Sequence, residues 1–208
     1  MSKKKYAPRI PRAANGFRAQ DLRPPPRGAW WVKGWLQAIE AMRLGARAGR
    51  GRVYAEQGQV TALTASGGHV EATVQGGRPE RYTVKIDFRP MPLKASDLGA
   101  MTVGRILAGE LPTVVEERFA VAERSLYPVL GVDHFWCSCP DWSKPCKHIA
   151  AVLYLLGDAL VRNPGLLLRL RGIDLPGQDP DAQELPLWKG TVRFRDALTK
   201  IYRRTGFA

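Results

Sequence analysis

The sequence predicts an α+β fold: a helix packed on a three-stranded antiparallel meander, followed by further helices and a ββα unit that encloses the cysteines. Three observations carry this reading. Over residues 30–44, apolar side chains recur three and four apart (Trp31, Trp35, Ala38, Ile39, Met42), which is helical spacing. Strict alternation then takes over: Val60, Ala62 and Thr64; Val70, Ala72 and Val74; Tyr82, Val84, Ile86 and Phe88. Finally, Cys137, Cys139 and Cys146 stand together just ahead of Ile149, Val152, Leu153, Leu156 and Leu160, a second helical pattern.

Each element has its own local warrant. Residues 1–28 carry Lys3, Lys4, Lys5, Arg9, Arg12, Arg18, Arg23 and Arg27 with five prolines and few apolar side chains. Such a stretch buries too little to offset its ordering entropy, so a disordered basic arm is expected. Residues 29–94 form the helix and meander, with Gly67-Gly68 and Gly76-Gly77-Arg78-Pro79 as the tight turns. The helix would cover the apolar face of the meander. Its tryptophans, Trp30, Trp31 and Trp35, are expected in the core, with stacking on nucleobases as the alternative. Pro90 and Pro92 mark a linker. Residues 95–173 then hold a helix capped by Ser96 or Asp97, a second one restarted by Pro112, strands at 127–132 and 135–139, and the cysteine segment 137–148. Asn163-Pro164 ends the following helix, and a leucine-rich turn comes next. Residues 174–208 read as an acidic, proline-punctuated linker and a basic C-terminal helix.

The cysteine segment holds the chemistry. Cys137-Ser138-Cys139, six residues, then Cys146-Lys147-His148 gives C-x-C-x6-C-x-H. Three thiolates and an imidazole complete a tetrahedral Zn2+ set with no position left for water, so the metal would hold structure rather than do chemistry. Residues i and i+2 of a strand point to one side, so Cys137 and Cys139 can share one ion. Cys146 and His148 fall where a helix starts, where amide groups and the helix dipole favour anionic sulfur. Lys144 and Lys147 offset the negative charge of a zinc–tris-thiolate, and Trp136 and Trp142 would shield it. His134 is an alternative imidazole ligand, and a redox role for the C-x-C pair would leave Cys146 and His148 unexplained. Glu116, Glu117 and Glu123 read as the wet face of a helix, His69 as a solvated hairpin tip, and no Ser-His-Asp or Walker pattern occurs. Neither a nuclease nor another enzyme is expected.

The run Cys137-Ser138-Cys139-Pro140-Asp141-Trp142, with Pro145-Cys146-Lys147-His148, resembles the SWIM-type zinc finger, whose pattern is C-x-C, a variable gap, then C-x-H. Softer similarity to bacterial SWIM zinc finger proteins runs over most of residues 29–173. The resemblance implies Cys137, Cys139, Cys146 and His148 as ligands. It also implies interaction with nucleic acid or protein, often beside Swi/Snf-type helicases, so a helicase-type ATPase is the implied protein partner.

Charge adds an independent pointer. The net charge is +13. Residues 1–58 hold 13 Lys and Arg against 3 Asp and Glu, while the rest holds 19 against 16. That asymmetry suits a polyanion, met through phosphates rather than bases. The candidate contacts are Lys3, Lys4, Lys5, Arg9, Arg12, Arg43, Arg47, Arg50 and Arg52. A pure protein–protein adaptor with no nucleic-acid contact is the rival reading. No membrane span or small-molecule substrate is expected, and with every cysteine committed to one metal motif, a reducing, cytoplasmic setting is.

Overall fold

Helix α1 (Trp30–Ala41) and helix α2 (Ala46–Glu56) lead into an antiparallel sheet of β1 (Val60–Ser66), β2 (His69–Val74) and β3 (Tyr82–Asp87). Short helices α3 (Ala95–Leu98), α4 (Ala100–Leu107) and α5 (Val114–Val121) follow. A 3-10 turn then enters β4 (Phe135–Cys137), and α6 (Lys147–Arg162) and α7 (Gly165–Arg169) close the order. The computed structural model describes residues 10–20, 29–122, 125–127 and 131–177. Lys3, Lys4, Lys5, Arg9, Glu123, residues 21–28 and the expected C-terminal basic helix lie outside the described residues.

The meander forms as its alternation dictates. Gly67 and Gly68 both take positive φ (53° and 84°), which lets Ser66 pair with His69 across a two-residue turn. The register runs Val70–Ile86, Ala72–Val84 and Val74–Tyr82, so the apolar set of each strand lies on one face. The sheet differs from expectation at its far edge, where a fourth strand is present. β4 pairs antiparallel with β3, Val84 opposite Cys137 and Ile86 opposite Phe135. The zinc motif therefore is not a free-standing ββα unit. Its first strand is the last strand of the meander, and the expected partner strand at 127–132 is, among the described residues, a bend and a 3-10 turn.

The helix that covers the sheet is α6 rather than the expected α1. Every residue from His148 to Leu160 is buried. The cause is in the sequence: Ile149-Ala150-Ala151-Val152-Leu153-Tyr154-Leu155-Leu156 has no polar face, and a helix apolar all round is stable only when surrounded. The sheet packs on one side of α6, with α1 and α2 on the others. Each fully buried Leu, Ile or Val contributes about 1.5–3 kcal/mol, so α6 is the organising element of the core. The tryptophans of α1 are committed to this core. Trp31 Nε1 donates to Leu160 O at 2.8 Å, Trp35 Nε1 to Leu153 O at 2.9 Å, and Trp30 Nε1 to Leu111 O at 2.9 Å. Trp31 and Trp35 are buried and offer no face for base stacking, while Trp30 is half-buried.

The arm is ordered over its described part, against expectation. Residues 10–20 lie along the domain: Arg12 N donates to Gly76 O, Gly16 N to Gly58 O, Phe17 N to Val60 O and Ala19 N to Ala55 O, at 2.8–3.0 Å. Gln20 N donates to Asp158 Oδ1 at 2.6 Å, a carboxylate fully buried in α6 and also paired with Arg162. Backbone hydrogen bonding, invisible to a composition argument, supplies the ordering free energy that few apolar side chains could not. At the other end, Ile173 and Leu175 are buried, so the domain continues past residue 173.

The single helix expected after Ser96 or Asp97 is broken at Gly99 (φ 81°) into α3 and α4. The cap expected at Ser96 or Asp97 falls instead at Lys94, and Asp97, the third helical residue, accepts from Lys94 N at 2.8 Å. Among the described residues, no helix is long and apolar enough to cross a membrane.

Candidate metal centre

Three elements bring the four ligands together. Cys137 ends β4, held in place by β3. Ser138 continues that grip, donating its N–H to Thr83 O at 3.0 Å and accepting from Thr83 N on its hydroxyl at 3.0 Å. Cys139 follows on the return loop, which the Asp141 side chain tightens by accepting from Ser143 N at 3.1 Å. Cys146 is the residue before α6, still extended (φ −83°, ψ 174°), and His148 is the second residue of the helix. Cys146 and His148 are buried, while Cys137 and Cys139 are partly exposed.

The donor atoms of the four residues all lie within 4.8 Å of one another. His148 Nδ1 stands 3.8 Å from both Cys137 Sγ and Cys146 Sγ. A tetrahedral zinc with bonds of about 2.3 Å to sulfur and about 2.0–2.1 Å to nitrogen requires S···N separations of about 3.5 Å. These two separations match that ion to within a few tenths of an ångström, and the soft thiolates suit zinc. His134, the alternative imidazole, is elsewhere: its Nδ1 lies 2.8 Å from Asp87 O.

The protonation balance shows the same convergence. Hydrogen bonds with Cys139 and Cys146, together with burial, push the Cys137 thiol far above its ordinary range. Hydrogen bonds from Cys137 and Cys146, helped by His148 and the Asp141 amide, pull Cys139 far below it. Zinc would release the remaining thiol protons as it binds.

The surroundings of His148 were not legible in the motif. Its ring is packed between two tyrosines, Tyr82 at 4.7 Å and Tyr54 at 5.5 Å between ring centroids. Lys147 Nζ sits 5.7 Å from the Tyr54 ring. His148 Nε2 is buried and has no hydrogen-bond partner. With Nδ1 given to zinc, Nε2 would carry the ring proton. Gly76 makes room for this stack: a Cβ there would lie 2.5 Å from Tyr82 Cε2 and 3.5 Å from His148 Nε2. Tyr82 is visible in the sequence only as a member of the apolar strand face, and no spacing signal ties Tyr54 to the cysteines. The expected shielding by tryptophan is not found. Trp142 is 91% exposed and Trp136 46%, so the tyrosines, not the tryptophans, wall the site.

The remaining candidate residues spread over one helix and its approach. Arg43 and Arg50 are exposed and Arg47 half-buried. The Arg52 guanidinium lies 4.8 Å over the Tyr154 ring, a packing role. Arg12 is exposed. Glu116 and Glu117 are exposed on α5, as a wet face requires.

Residues 128–157 match the family model of the SWIM zinc finger, a span that runs from before β4 into α6. The chain therefore carries a SWIM zinc finger, and the geometry above gives it a metal-ready Cys3His cluster. Over 168 residues, the chain is 34% identical to an uncharacterized protein of Mycobacterium tuberculosis, Rv2102. The alignment covers 76% of this chain, which spans 60% of the length of that relative. No solved structure matches the chain.

Proposed function

We propose that the chain is a non-enzymatic module in which a zinc-held SWIM finger stabilises a domain that binds nucleic acid through its phosphates, alongside a helicase-type ATPase. The observation that carries the non-catalytic reading is the closed donor set: four protein ligands within 4.8 Å of one another leave a zinc ion no open position. The nucleic-acid reading is supported by charge. Residues 1–58 hold most of the excess of +13, and Arg43 and Arg50 of that stretch are exposed. The helicase-type partner follows from the association of bacterial SWIM proteins with such ATPases.

A salt titration tests the proposal. Binding of the zinc-loaded chain to a mixed-sequence duplex and to a single strand is measured over a range of salt. Affinity is expected to fall steeply with salt. The log–log slope should flatten by about 0.9 for every phosphate no longer neutralised on duplex, and by about 0.7 on a single strand. Replacing Lys3, Lys4, Lys5 and Arg9 by Gln removes up to four such charges. Absence of salt-dependent binding to either form, with capture only of a protein partner, would show the chain to be an adaptor.

A further inference from the structure

Beside the zinc cluster lies an open cleft of about 870 Å3, which sits within the size range of ligand sites. Its floor is aromatic and apolar: Tyr54, Tyr82 and His148 line it, together with Val53, which is 43% exposed. Its rim is cationic, with Arg50 from α2, Arg78 from the β2–β3 turn and Lys147 from the start of α6, against Asp141 as the one lining carboxylate. Ile10 and Pro11 also line the cleft. His148 Nε2 is buried and has no hydrogen-bond partner. Next to Asp141, Trp142 stands 91% exposed and offers a bare stacking face.

An apolar floor, a cationic rim and an adjacent free indole together match a nucleotide whose base is out of a duplex: an aromatic ring to bury, a phosphate to neutralise and a neighbouring base to stack. We infer that this cleft is a single-strand binding site that takes one nucleotide of the strand, with Trp142 stacking on the next base. The inference rests on the nucleic-acid reading above and deepens it. The basic segment supplies affinity for any phosphate backbone, and the cleft supplies preference for unpaired bases, since a paired base presents no free face to it. The zinc ion would act on this site indirectly, by fixing His148 in its floor and Asp141 and Trp142 at its rim.

The test uses the full zinc-loaded chain with labelled dT12 and with a duplex, at one fixed salt concentration, and with free dTMP as competitor. Gly49 lines the cleft, and a Cβ there meets nothing within 4 Å, so Gly49→Leu adds bulk at the cleft wall without changing charge or straining α2. Gly49→Leu and Trp142→Ala are each expected to weaken dT12 binding about tenfold, the effect of removing one base–aromatic stack. Duplex binding should change less than about twofold, zinc content should stay at the wild-type value, and the thermal midpoint should not fall, with Gly49→Leu raising it through helix propensity. Arg78→Gln, at an exposed position, gives a second variant that does not depend on side-chain bulk and should weaken dT12 binding as well. Competition by dTMP alone, with no preference for dT12, would overturn the strand reading in favour of a free-nucleotide site. If these variants bind dT12 like wild type while the Lys3, Lys4, Lys5 and Arg9 variant loses binding, the cleft inference is wrong and the proposed function stands. If wild type binds neither strand nor duplex, both fall.

Discussion

Gly76→Ala probes the wall of the metal site without touching a ligand. The new methyl carbon would lie 2.5 Å from Tyr82 Cε2 and 3.2 Å from Tyr82 Cδ2, where carbon–carbon packing needs about 3.5–4.0 Å. The Tyr82 ring must therefore yield by about 1 Å. It cannot do so freely, since it is buried and stacked 4.7 Å from the His148 ring. Nor can the backbone at residue 76 give way easily, because Gly76 O accepts hydrogen bonds from Arg12 N at 3.0 Å and Gln75 Nε2 at 3.1 Å. Overpacking of this kind costs about 1–3 kcal/mol, and the middle of that range lowers Tm by about 4–8 °C for a chain of this length. Displacing a group that orients a metal ligand lowers metal affinity by about 10- to 100-fold. The assay is zinc transfer to a chromophoric chelator, paired with urea unfolding of the zinc-loaded protein. A Gly76→Ala protein that surrenders zinc at the wild-type chelator concentration and unfolds at the wild-type midpoint would refute the claim that the tyrosine stack positions His148.

Three other outcomes follow from particular side chains. Tyr127→Phe removes a buried hydroxyl with no partner, one that burial already pushes to a raised pKa, so stability should stay level or rise by about 1 kcal/mol; a fall in the urea midpoint would show that the hydroxyl is bonded. Asp158→Ala strips Gln20 N and Arg162 of their buried acceptor and should cost about 3 kcal/mol, with faster tryptic cleavage at Arg12 and Arg18 as residues 10–20 come away; unchanged cleavage would mean that Asp158 does not anchor the segment. In chelator-treated protein, iodoacetamide should label the partly exposed Cys137 and Cys139 before the buried Cys146, while the zinc-loaded protein resists at all three; rapid labelling with zinc bound would contradict ligation.

The ligand set and the meander were legible because each rests on local pattern. Spacing alone grouped Cys137, Cys139, Cys146 and His148, and period-two alternation placed Val70, Ala72 and Val84 on a common face. What escaped was non-local. No periodicity distinguishes a strand that ends a meander from one that begins a knuckle, so the pairing of Val84 with Cys137 has no signature in the sequence. The all-apolar character of residues 149–156 reads as a helix, but its place at the centre depends on what surrounds it. Composition alone makes residues 10–20 look disordered. Their order comes from main-chain hydrogen bonds to Gly58, Val60 and Gly76, which no side-chain pattern encodes. The tryptophans near the cysteines mislead for a similar reason: proximity in sequence puts Trp142 beside the ligands, yet the loop turns it outward, and the shielding falls to Tyr54 and Tyr82 from other elements.

The central claim is that one zinc ion is closed off by three cysteine sulfurs and one histidine nitrogen. X-ray absorption at the zinc edge of the loaded chain tests it most directly. The account predicts three sulfur scatterers at about 2.3 Å and one nitrogen at about 2.0–2.1 Å, at one equivalent of zinc per chain, with the sulfur count falling in Cys146→Ser. A bound water oxygen in the shell, or a Cys146→Ser spectrum identical to wild type, would contradict it.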